Sequence, residues 1–165
     1  MGPMTEDLNW SRGDFTLTRT IGQIMMALVG FAVGAYVDRV GARPIMLVGT
    51  LILSGSLYCH SLVNTLTAWW LLNGVALTTG CAMVGNLVVN VTLSKWFVVH
   101  RGKAIAIAAM GVSLGGIIIT PLVTWLIDHL SWREAWAWLA LMTLIIMLPV
   151  ALMMRRKPED YGLLP

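Results

Sequence analysis

The chain has 165 residues, 58% of them apolar and only 12% charged, with a formal net charge of +3. A soluble domain carries about twice that charged share and could not hide so much apolar surface, whereas a bilayer accepts it. The basic residues are strung between apolar runs instead of gathering in one patch, which excludes a nucleic-acid-binding surface.

The N-terminal segment 1–14, MGPMTEDLNWSRGD, is polar and lacks the basic-then-apolar order of a signal peptide. It reads as an extracytoplasmic loop. An apolar run over 15–36 follows, near the ~20 residues that cross the hydrocarbon core as a helix. Arg19 lies about a turn inside its outer end, four residues before Gln23 and on the same helix face. Such an arginine either binds a carboxylate in bidentate fashion or snorkels to the lipid headgroups. If it binds a substrate, the natural substrate is an organic anion.

The first polar break carries Gly34, Asp38, Arg39, Gly41, Arg43 and Pro44. Gly41 allows a tight turn between antiparallel helices, Pro44 suits the first turn of the next helix, and Gly34 permits close approach of a neighbour. Asp38, an acid among basic residues, calls for a specific partner: Arg39, Arg43 or the positive end of a helix. A generic solvated loop is the alternative.

A second apolar run spans 44–62 and a third 67–94, separated by the break from His60 to Asn64. Polar groups at membrane depth are costly and usually face a cavity or another helix. In the third run Thr79, Met83, Asn86 and Asn90 recur at helical spacing and predict one narrow stripe. Either it lines a cavity or its amides bond a neighbouring helix. Cys59 and Cys81 lie inside apolar runs without a further ligand at metal spacing, so both read as small membrane-buried residues.

Beyond the break from Lys95 to Lys103, the fourth run (104–127) holds Gly111, Ser113, Gly115, Gly116, Thr120 and Thr124, with Pro121 expected to kink it. Small residues at this spacing mean close helix packing, or else a hinge. The break from Asp128 to Glu134 leads to the fifth run (135–154) and a basic tail over 155–165. Trp10, Trp69, Trp70, Trp96, Trp132 and Trp136 all fall near span ends, where indoles favour the headgroup level. His60, His100 and His129 sit in three separate breaks, and neither a metal site nor a catalytic constellation is expected.

The breaks are too short for a soluble domain, so neighbouring helices alternate in direction. The first, third and fifth breaks hold Arg39, Arg43, Lys95, Arg101, Lys103, Arg155, Arg156 and Lys157; the other face has only Arg12, Arg19 and Arg133. The positive-inside rule then places the N-terminus outside and the C-terminus in the cytoplasm. An outer N-terminus without a signal peptide points to a helix missing before Met1. The fold class is an all-α, multi-pass membrane bundle over 15–154.

The pattern formed by Gly34, Asp38, Arg39, Gly41 and Arg43 resembles the signature loop between the second and third helices of the Major Facilitator Superfamily. The tail from Arg155 looks like the start of that family's central cytoplasmic loop, and Ser131-Trp132-Arg133 resembles the outer turn before its sixth helix. The resemblance covers essentially the whole chain and implies helices two to six of twelve. Inverted three-helix repeats should make two of these turns echo; Asp38 and Arg43 are five residues apart, as are Asp128 and Arg133.

The resemblance further implies that Asp38, Arg39 and Arg43 act as a conformational gate and that the third run lines a central cavity. The NWSR segment and the tail are most similar to a bacterial branch related to monocarboxylate and oxalate–formate carriers. The expected function is alternating-access transport of a small organic anion such as a monocarboxylate, with protons as coupling ion, in a bacterial inner membrane. Its partners would be the bilayer, the solute, the missing first helix and a C-terminal half-bundle; no cofactor, nucleic acid or enzymatic role is expected. Alone, the chain would leave polar stripes facing lipid and should not transport. A membrane scaffold without transport activity is the alternative from another class, and an intramembrane enzyme a third, disfavoured one.

Overall fold

The computed structural model describes Leu8 and residues 12–155. Those residues form helices α1 (Arg12–Val40) and α2 (Ala42–His60), then a divided third span. It comprises α3 (Leu66–Trp69), a π-helical segment (Trp70–Leu77), α4 (Thr78–Val84) and α5 (Asn86–Trp96). Helices α6 (Arg101–His129) and α7 (Trp132–Met153) follow. Among the described residues, Thr16–Val40, Ala42–His60, Leu66–Trp96, Arg101–His129 and Trp132–Met153 are each long and apolar enough to cross a membrane. The protein is an all-α integral membrane protein, the arrangement in which a spanning chain satisfies its backbone internally.

The helices overrun the apolar runs. Asp38 and Arg39 remain in α1, Lys95 in α5, and Arg101 and Lys103 in α6. Hydropathy marks the hydrocarbon core, while a helix continues into the headgroups wherever its backbone bonds are still made. For the same reason Arg12–Asp14, expected in the outer loop, belong to α1. The rest of that loop, Leu8 aside, and the tail 156–165 lie outside the described residues.

The turn between α1 and α2 is as tight as its sequence indicates. Gly41 adopts φ 100° and ψ 171°, where a side chain is rarely tolerated, and its amide donates to the Val37 carbonyl at 3.0 Å. Pro44 falls in the first turn of α2.

Helix α2 packs chiefly on α7 and on the third span, while α1 lies along the third span. Close approach is made by glycines that composition does not single out. A methyl group on Gly80 would come within 2.8 Å of the Leu53 backbone, and one on Gly49 within 2.5 Å of Met83 Cβ. The hydroxyls buried in α2 bond back along their own helix: Thr50 donates to the Met46 carbonyl at 2.7 Å and Ser54 to that of Thr50. The wide π-helical turns free carbonyls that side chains then satisfy. Ser56 donates to Leu72 O at 3.1 Å, and Thr78 to Asn73 O at 3.0 Å.

Two apolar clusters hold the bundle, named inner and outer after the faces expected from the charge bias. The inner one joins Val33 and Val37 of α1, Ala42, Ile45 and Met46 of α2, Val88 of α5 and Ala151 of α7. The outer one joins Val63, Trp69 and Trp132. Trp69 and Trp132 are thus core residues, only 2% and 9% exposed, instead of headgroup anchors. The reason is local. His60, fully buried at the end of α2, bonds through Nδ1 to Ser56 O at 2.6 Å, stacks on Trp136 at 4.8 Å and meets the edge of Trp69 at 5.1 Å. An aromatic cluster of that size draws the indoles inward. Trp10 lies outside the described residues.

Arg133 locks this outer end. Its guanidinium donates to Ser61 O at 3.1 Å, Val63 O at 3.2 Å and Asn64 Oδ1 at 2.8 Å, and it lies 4.2 Å from the centre of the Trp132 ring. Ser131 and Glu134 form a reciprocal capping box that starts α7 beside it. These bonds put the second and fourth breaks on one face of the bundle. On the other, Lys95 pairs with Asp38, and Trp96 Nε1 donates to Arg155 O at 3.3 Å, which gathers the first, third and fifth breaks. The alternation of helix direction therefore holds across the described residues.

Helix α6 stands apart, with Leu126 its one buried residue. It continues unbroken through Pro121.

Candidate functional site

The charged turn brings together fewer of its own residues than the sequence suggests. Asp38 does not pair with Arg39 or Arg43. Its carboxylate meets Lys95 Nζ at 2.9 Å, so the partner comes from the last turn of α5. Helix spacing on α1 turns Asp38 toward the third span, on the same side as Gly34 four residues earlier, where an added methyl group would touch Leu87. Arg39 and Arg43 are exposed. Gly34 does meet a neighbour: a methyl group there would touch Leu87 at 3.9 Å, an ordinary contact distance.

The expected polar stripe on the third span is interrupted. At Gly85 the backbone is extended (φ −80°, ψ −172°), which ends α4 and starts α5. Met83, before the break, turns toward Gly49 of α2, while Asn86, just after it, is exposed and Asn90 half-buried. The helical phase is reset at Gly85, so the four residues do not form one continuous line. Thr79 is half-buried on α4.

Arg19 and Gln23 are both exposed on α1. They flank Gly22, whose added methyl would reach Thr78 Oγ1 at 3.0 Å, so they lie at the level of the π-helical segment and the start of α4. Leu87, beside Asn86, meets α1 near Gly30 and Gly34, two or more turns deeper. The candidate polar residues therefore lie at two levels of the bundle, Arg19, Gln23 and Thr79 toward the outer end and Asn86 and Asn90 toward the inner.

On α6, methyl groups added at Gly111, Gly115 and Gly116 would meet nothing within 4 Å among the described residues. The close helix contacts among the described residues lie at Gly49 and Gly80. Gly85, Lys95 and Arg133 carry structural roles that the sequence did not assign to them. The first two had a legible signal: a Gly-Asn step inside an apolar run, and a lysine on the face that also carries Asp38.

Comparison with known proteins agrees with this architecture. The whole chain, residues 1–165, matches the profile of the Major Facilitator Superfamily. It is 24% identical over 158 residues to the MFS-type transporter YcxA of Bacillus subtilis, covering 96% of this chain and 39% of that protein. It is 33% identical over 110 residues to the fujikurins efflux protein of Gibberella fujikuroi, covering 67% and 23% respectively. Against monocarboxylate transporter 13 of Bos taurus it is 28% identical over 118 residues, covering 67% and 28%. The chain thus spans less than half the length of these relatives.

Proposed function

The chain belongs to the Major Facilitator Superfamily, and from that premise we propose that it forms helices two to six of a carrier for a small organic anion. The carrier works by alternating access, with a first helix and a C-terminal half-bundle completing the cavity and protons as coupling ion. The observation that carries this reading is the family match over the full chain together with the α1–α2 turn, where Gly41 makes the tight bend and Asp38 reaches across to Lys95. Monocarboxylate transporters among the relatives support an anionic solute.

In this reading Arg19 holds the solute carboxylate through both guanidinium nitrogens, and Gln23 and Thr79 orient it from the same level. Asn86 and Asn90 offer amide donors and acceptors deeper in the path. Asp38, Arg39 and Arg43 work at the cytoplasmic face, where they bias the inward-closed state and do not touch solute. The exposed glycine face of α6 packs on the helices that complete the carrier, since small residues allow close approach. The N-terminal segment faces the outside and the C-terminus the cytoplasm, in keeping with the charge bias.

Binding can be tested apart from transport. In the intact purified carrier, lactate at about 100 times its Kd should add roughly 2.7 kcal/mol of thermal stabilisation. Lactamide, of nearly the same shape but neutral, should add none. Equal shifts from acid and amide, or none from any carboxylate in a panel of mono- and dicarboxylates, would contradict an anion site.

A further inference from the structure

The third span is the most irregular helix of the bundle, and its irregularities are not scattered. Its outer segment is fastened repeatedly. Thr65 caps it by accepting from the Ala68 amide, Trp69 is buried in the outer cluster, and Ser56 of α2 bonds Leu72 O. The loop that feeds it is gripped by Arg133 at Ser61, Val63 and Asn64.

The inner segment, Asn86–Trp96, buries only Val88 and Thr92. It is tied at its far end by two polar contacts, Lys95 to Asp38 and Trp96 Nε1 to Arg155 O. Between the two segments lies the extended Gly85. A side chain there cannot keep this geometry, because its Cβ would stand 2.5 Å from the Cys81 carbonyl oxygen. The first helical bond beyond the break, from the Val89 amide to Gly85 O, is long at 3.3 Å. The amides of Asn86, Leu87 and Val88 begin a new helix and have no acceptor within it. In a membrane such groups favour closing into a continuous helix, and glycine at position 85 is what permits the broken form.

We propose that the third span is a two-segment lever hinged at Gly85, with Lys95 as the positioning residue through which Asp38 holds its inner segment. Release of Lys95 from Asp38 lets Asn86–Trp96 swing, and Asn86 and Asn90, carried on that segment, turn with it. The state of the cytoplasmic gate is thereby communicated to the polar residues within the membrane. The idea rests on the gating role proposed for Asp38, but the hinge itself is read without transport.

Hydrogen exchange of the intact carrier in lipid nanodiscs reads it directly, on peptides covering residues 82–92. Gly85→Ala removes the broken geometry and favours helix by about 1 kcal/mol, so exchange at residues 86–88 should slow by about fivefold or more. Turnover should fall while thermal stability holds or rises, a combination that a merely structural defect does not produce. Lys95→Gln should speed exchange at the same amides and lower the transport rate without raising KM, and Lys95→Arg should restore the rate. In the Asp38→Asn/Lys95→Gln double variant, the loss should equal that of either single change, since both break one contact.

Unchanged exchange in Gly85→Ala overturns the hinge, and slowed exchange with normal turnover overturns its coupling to transport. If Gly85→Ala does not fold, Lys95→Gln decides: unchanged exchange, or losses that add to those of Asp38→Asn, overturn the proposal. A carrier in which Asp38→Asn has no effect on turnover while Gly85→Ala still gains protection would reject the gate and leave the hinge standing.

Discussion

Arg19→Gln in the intact carrier is expected to cut anion uptake by about 100-fold or more while expression and membrane insertion stay normal, a loss equivalent to about 2.7 kcal/mol or more. The size follows from the kind of bond lost. Arg19 lies in the outer part of a membrane-spanning helix, exposed on α1 beside the Gly22–Thr78 contact, and forms no ion pair with any described residue. A guanidinium within a span is disfavoured by about 2.5–3.5 kcal/mol at the bilayer centre, less near its end, so a fixed anionic partner is a strong reason to retain it. Truncating one member of a desolvated charge pair typically costs about 2–5 kcal/mol, and glutamine keeps the hydrogen-bonding length but not the charge or the two-pronged geometry. Arg19→Lys should recover part of the uptake, since it restores charge without the planar fork. Unchanged uptake kinetics in Arg19→Gln would mean that the side chain merely reaches to the headgroups, and would remove it from the site.

The second large effect is kinetic. Asp38→Asn should slow turnover by about tenfold, roughly 1.4 kcal/mol of barrier, with KM changed little. The contact with Lys95 is only partly shielded, with the Asp38 side chain 65% exposed and that of Lys95 30%. An exposed pair of this kind contributes about 0–1 kcal/mol to stability, so Asp38→Asn should leave the melting temperature nearly unchanged. That separation matters: a residue kept for stability would show the opposite pattern. Asp38 is exposed at the C-terminal end of α1, well away from the level of Arg19 and Thr79, so in the proposed reading it does not touch solute. Initial-rate kinetics in proteoliposomes, with the melting curve of the same preparation, distinguish the cases. A loss confined to affinity would contradict a gating role.

Much of the architecture was open to reading because it depends on physics with a strong sequence trace. Five apolar runs broken by polar turns demand alternating helices, and the contacts Lys95–Asp38 and Arg133–Ser61 sort the breaks into the same two groups as the charge bias. Gly41 was equally legible, since a one-residue link between two helices requires a backbone that few residues adopt.

What remained hidden lies inside the apolar runs. There hydropathy is uniform, and a π-helical stretch at Trp70–Leu77 looks like any other part of a span. The side-chain bonds from Ser56 and Thr78 that satisfy its carbonyls are tertiary, or local at an unusual spacing. The glycines illustrate a related limit. Gly111, Gly115 and Gly116 form the denser small-residue pattern, yet the close contacts of the described chain fall at Gly49 and Gly80. Spacing shows that a helix can be approached closely; it does not say which neighbour does so. Asp38 illustrates the same limit: its need for a partner is local, while the identity of Lys95 is set by how α1 lies along α5.

The most direct measurement is uptake by the intact carrier in proteoliposomes, with labelled monocarboxylates outside and an imposed pH gradient. An organic-anion carrier should show saturable uptake that an inward proton gradient accelerates, and counterflow when unlabelled solute is preloaded. Well-folded protein that supports neither uptake nor counterflow of any carboxylate would contradict the account and leave a membrane protein that binds partners without moving a solute.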